Sequence, residues 1–101
     1  MAGNGITFEW PHPDTKLWIL QEIDSSQSNP ATAPWITHQL HFHHGHVYLS
    51  LIARAVTENE VRGLITRLVN QGYVKREGTP KMRWYTLTSM GRGYISEEVK
   101  T

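Results

Sequence analysis

Apolar and polar positions divide the chain into stretches of two different periods. Leu17, Ile19, Leu20 and Ile23 fall on one helical stripe that gives way to the polar run 24–29, and Asp14 suits the N-cap of that helix. Pro34 fits the first turn of a second helix running through Trp35, Ile36 and Leu40 to about residue 42. Gly45 interrupts the pattern before a third apolar stretch, 47–55, in which Leu51, Ile52 and Ala55 share a helix face. The strongest signal begins at Thr57. Thr57-Glu58-Asn59-Glu60 reads as a capping box, with Val56 and Val61 placed as a hydrophobic staple. Val61, Leu64, Ile65, Leu68 and Val69 then follow the spacing of one buried helix face, and Gly72 stands where a left-handed C-cap is expected. The opposite face carries Asn59, Arg62, Gly63, Thr66, Arg67 and Asn70.

After Gly72 the period changes to two. Residues 73–77 and 82–87 read as strands joined through Gly78-Thr79-Pro80-Lys81, and Thr88 caps a closing helix that carries Met90, Tyr94 and Ile95. The order predicts a mainly α domain with a small β-hairpin, an α+β fold of about five helices, over residues 14–98. Residues 1–13 read as an N-terminal tail, in which 6–10 form a short arm before Pro11 and Pro13. The rings of Trp10, Trp18, Trp35, Trp84, Tyr48, Tyr85 and Tyr94 are mostly core candidates.

Composition narrows the function classes. The 101 residues are 39% hydrophobic, enough for one core and too few for a second domain. Cysteine is absent, which excludes disulfides, thiolate metal sites and a cysteine nucleophile and fits a reducing, cytoplasmic setting. No stretch reads as a membrane span, so no membrane partner is expected. The net charge of +1 conceals an asymmetry: residues 1–50 are acidic and residues 51–101 are basic. A basic half suggests a polyanion approached from one side.

Two runs carry a family resemblance. Leu64-Ile65-Thr66-Arg67-Leu68-Val69-Asn70-Gln71-Gly72-Tyr73-Val74-Lys75-Arg76 resembles a recognition helix entering the first strand of a wing. Arg83-Trp84-Tyr85-Thr86-Leu87-Thr88-Ser89-Met90-Gly91-Arg92-Gly93-Tyr94 resembles the second wing strand and the helix after it. Over residues 47–98 the chain is thus similar to winged helix-turn-helix domains of small MarR- and PadR-type transcriptional regulators. The resemblance implies sequence-specific binding of double-stranded DNA, as repressor or activator, by a homodimer paired through its terminal segments (14–24, 89–98 and the arm). Two half-sites would then lie about 34 Å apart. Two assignments of the reading helix stay open: residues 57–71, which the resemblance favours because that helix enters the wing, or residues 46–55 with 34–42 before them.

The chemistry of DNA binding distributes roles among these residues. Lys75, Arg76, Lys81 and Arg83 on the hairpin can neutralise backbone phosphates. Asn59, Arg62, Thr66, Arg67 and Asn70 can reach base edges, Arg62 pairing with guanine and Asn59 or Asn70 with adenine. Glu58 and Glu60 oppose phosphate and are explained by capping. Gly63 marks either close approach by another surface or tight packing against the first helix. The same face would serve a protein-interaction module that binds no DNA.

Five of the six histidines stand between residues 38 and 46. His38, His41, His44 and His46 could supply imidazoles to Zn, Ni or Cu in a metal-responsive regulator. The simpler reading is a polar, partly exposed helix end with no ion bound, and no cofactor is expected. No nucleophile motif, phosphate loop or paired-carboxylate site appears, so no enzymatic activity is expected.

Overall fold

The computed structural model of the chain describes residues 14–26, 30–44 and 56–100. The expected tail and arm, the apolar stretch 47–55 with Tyr48, and His46 lie outside the described residues. Those residues form four helices and one antiparallel hairpin: α1 (Thr15–Asp24), α2 (Ala33–His44), α3 (Glu58–Asn70), β1 (Val74–Thr79), β2 (Met82–Leu87) and α4 (Ser89–Lys100).

α3 is specified at both ends by its own sequence. The Thr57 hydroxyl accepts from the Glu60 N–H at 3.2 Å, and the Thr57 N–H donates to Glu60 Oε1 at 2.7 Å, closing the capping box. At the other end Tyr73 N–H donates to the Leu68 carbonyl at 3.0 Å and Gly72 N–H to Val69 at 3.1 Å, the paired bonds of a Schellman motif. Gly72 takes φ +91°, as that motif requires. Thr88 then fastens the next helix to this corner. Its hydroxyl donates to the Gly72 carbonyl at 2.6 Å and accepts from Gly91 N–H at 3.1 Å, capping α4 against the end of α3.

The first two helices end differently. Asp14 occupies the N-cap position of α1, but its side chain makes no capping hydrogen bond there. The α1 C-terminus is closed by Ser25 and Ser26, whose hydroxyls donate to the carbonyls of Glu22 and Ile23. α2 starts one residue before Pro34, and Thr32 is its cap, accepting from Trp35 N–H at 3.3 Å. It runs to His44, two residues beyond the expected end.

The core gathers Ile19, Leu20 and Ile23 from α1, Ile36 and Leu40 from α2, Val61, Leu64, Ile65 and Leu68 from α3, and Val74, Tyr85 and Leu87 from the hairpin. Val56 and Val61 are both fully buried, in keeping with the staple. Of the expected core rings, Tyr85 alone among the described residues is buried; Trp18, Trp35 and Tyr94 pack against the rim, and Trp84 is half-buried. Met90 is exposed, because α4 lies on the periphery against α1 and the hairpin.

Register sets the two faces of the hairpin. Val74 pairs with Leu87, Arg76 with Tyr85, and Thr79 with Met82. β1 therefore runs two residues further than its hydrophobic pattern suggests, and the turn shrinks to Pro80-Lys81. Gly78 is inside the strand rather than in the turn, with φ +84°; a Cβ there would collide with the Met82 carbonyl and with the Trp84 ring. On its outer edge β2 takes one further backbone bond, Tyr85 N–H to the Ala31 carbonyl at 3.1 Å, which ties the hairpin to the segment entering α2.

Candidate nucleic-acid interface

α3 buries Val61, Leu64, Ile65 and Leu68 and turns the rest outward. Asn59, Arg62, Gly63, Thr66, Arg67 and Asn70 are all exposed, as the 3.6-residue period requires. A Cβ at Gly63 would meet nothing within 4 Å, so tight packing against α1 is not the reason for a glycine there. Arg62 is held by Glu58 one turn earlier: Nη2 and Nε both donate to Oε2, at 2.6 and 3.0 Å. The pair is half-exposed, so opening it costs only about 0.3–0.5 kcal/mol. Glu60 works in the capping box, whereas Glu58 works on Arg62. Arg67 stands in the last turn, where its charge complements the negative end of the helix dipole.

The four basic residues of the hairpin do not form one cluster. Side chains of directly opposed residues share a face. Arg76 and Arg83 are therefore on the face that carries Val74, Tyr85 and Leu87 toward the helices, and they extend it past the core. Lys75 is on the other face, 3.7 Å from Glu77. Lys81 occupies the turn. Arg62, Lys81 and Arg83 meet along one groove between α3, the hairpin tip and the start of α2. Strand alternation alone separates Lys75 from Arg76; the partnership of Arg62 with Arg83 needs the fold.

The described histidines divide among several partners, with His43 and His44 both beside Glu22 Oε2. His38 is exposed. His41 Nε2 donates to the Val56 carbonyl at 2.8 Å, which commits that nitrogen's proton and ties the end of α2 to the residue before the α3 cap. His43 Nδ1 donates to Glu22 Oε2 at 2.7 Å, and the His44 ring stacks on Trp18 with centroids 4.2 Å apart. Among the described residues no group of three or more His, Asp or Glu side chains is arranged to hold a metal ion. Glu22, buried in α1, is the acid that the histidine run lacks in its own neighbourhood. No local signal joins positions 22 and 43.

Among the described residues no helix is long and apolar enough to cross a membrane. No protein-family model matches the chain, and no curated protein matches it.

Proposed function

We propose that the chain is a winged helix-turn-helix domain that binds double-stranded DNA sequence-specifically as a transcriptional regulator, with α3 reading bases and the β1–β2 hairpin acting as the wing. The observation that carries this reading is the outward face of α3. Asn59, Arg62, Thr66 and Asn70 project from it, Gly63 leaves open space among them, and a basic hairpin edge adjoins Arg62. Each bidentate contact from Arg62 to guanine or from an asparagine to adenine is worth about 1–3 kcal/mol of discrimination. Arg76, Lys81 and Arg83 supply the sequence-independent attraction to phosphate. Lys75, on the far face and beside Glu77, contributes less.

The test is fluorescence anisotropy of a labelled random duplex at two salt concentrations. Binding should weaken steeply with salt. With a selected operator, Arg62→Ala should reduce specific binding more than random binding, whereas Lys81→Ala should reduce both alike. Equal losses from the two variants contradict this division of roles. Gly63→Ala sharpens the point: the folded protein should gain up to about 1 kcal/mol of stability, because an exposed helical glycine is replaced at no steric cost, while operator binding falls. Glu58 and Glu60 at the α3 N-terminus favour a rival reading, a protein-interaction module, and folded protein that ignores random duplex at low salt selects it.

A further inference from the structure

The groove between α3 and the hairpin tip presents more positive charge than its surroundings neutralise. It encloses about 250 Å³ and is lined by three cations, Arg62, Lys81 and Arg83, together with Thr32, Pro34 and Met82. Glu58 answers Arg62. Arg83 is half-buried and, among the described residues, neither it nor Lys81 has an acidic partner. A guanidinium partly withdrawn from water without a counter-ion is open to an anion from elsewhere.

We propose that this groove is an oxyanion site for a single phosphate group, and that filling it draws Arg62 off Glu58. Two guanidiniums offer forked donors that match a tetrahedral oxyanion, and Lys81 adds a point charge at the rim. The Thr32 oxygen accepts from Trp35 N–H, which leaves its O–H to donate. The volume is below the ~300–1,000 Å³ of pockets that hold drug-sized ligands, so one phosphate with a small attached group fills it. The exposed Glu58–Arg62 pair opens at little cost, and a phosphate, as diester or monoester, offers the same guanidinium two acceptor oxygens where Glu58 engages it through Oε2 alone. The phosphate belongs either to a duplex backbone or to a small phosphorylated molecule. In the second case an occupied groove competes with DNA, which makes the site regulatory. This inference deepens the DNA reading, since it places the anion at the junction of the reading helix and the wing.

The experiment is a titration of the ¹⁵N-labelled full chain with inorganic phosphate against chloride at constant ionic strength, following the arginine Nε–H resonances. A parallel titration uses a random duplex. Saturable shifts led by Arg62 and Arg83 are expected, weakened about tenfold by Arg83→Gln or Lys81→Gln and unchanged by Lys16→Gln, whose ammonium sits over the Tyr73 and Tyr94 rings away from the groove lining. Non-saturating shifts, or equal weakening by Lys16→Gln, overturn the proposal. Phosphate bound without any duplex bound establishes a small-molecule site and removes the DNA reading. Duplex bound with no saturable phosphate site and no loss in Arg83→Gln removes the groove and leaves the DNA reading standing.

Discussion

The two halves of this molecule are held in place by different means. From Thr57 to Thr88 the ends of each element are closed by residues within a few positions: the capping box, the Schellman bonds at Gly72, and the short turn at Pro80-Lys81. The first half has local closures too, at Ser25, Ser26 and Thr32, but the end of α2 relies on distant partners. The end of α2 is fastened by imidazoles, His41 to the Val56 carbonyl, His43 to Glu22 and His44 to Trp18. Glu22 also keeps Oε1 buried without a hydrogen-bond partner, a cost that, among the described residues, no side chain of the second half carries. Local closure makes an element legible and self-supporting, whereas long-range closure makes it conditional on the fold around it.

The largest test of that contrast removes a core side chain from each half. Ile65→Ala and Leu40→Ala each delete a fully buried aliphatic group and should cost about 2–5 kcal/mol in denaturant melts. Because both side chains belong to one core, hydrogen exchange should quicken in both halves for either variant. Retained protection of α3 and the hairpin in Leu40→Ala would show instead that the second half is an independent unit.

Gly78→Ala comes next. The positive φ and the collision with the Met82 carbonyl and Trp84 should cost about 1–3 kcal/mol. The loss should register in the hairpin amides, while the capped α3 keeps its protection.

A smaller and sharper contrast sets Thr57→Ala against Glu22→Met. Loss of the cap should cost about 0.5–2 kcal/mol. Glu22→Met replaces a buried carboxylate, one of whose oxygens is unpaired, by an apolar side chain of similar size, and stability should be unchanged or higher. A loss of roughly 3 kcal/mol or more would mean that the Glu22–His43 pair holds α1 to α2.

The smallest effect is a pH dependence. The Tyr94 phenol is pushed above its usual value near ~10, first by burial and then by Glu98, Tyr73 and Asp14. A raised folded-state value means the stabilisation is fully present below the unfolded value and is lost as pH rises through the folded one. Thermal melts should therefore fall less steeply with alkaline pH in Tyr94→Phe than in the parent.

The legible parts of the chain are those whose partners are close in sequence. The capping box, the Gly72 cap and the exposed face of α3 all follow from spacing, since a helix places side chains every 100° and caps within four residues. The hairpin was visible as a change of period, but its turn was not. Gly78-Thr79-Pro80-Lys81 has the composition of a four-residue loop, and cross-strand pairing in the folded sheet carries β1 on to Thr79. For the candidate interface, residue types and the α3 face are readable in the sequence, whereas the division of the hairpin cations between two faces is not. Register divides them, with Arg76 and Arg83 on one side and Lys75 on the other.

The sequence by itself determined where α3 begins and ends, which of its residues face outward, that a hairpin follows, and that the basic charge lies in the second half. Tertiary structure decided what those residues meet. It brought Glu22 to His43 across 21 positions, seated Arg62 beside Lys81 and Arg83, and left the space beside Gly63 open. The physical reason is range: backbone geometry and capping act over a single turn, whereas charge pairing and grooves depend on distances that only packing of the shared core sets.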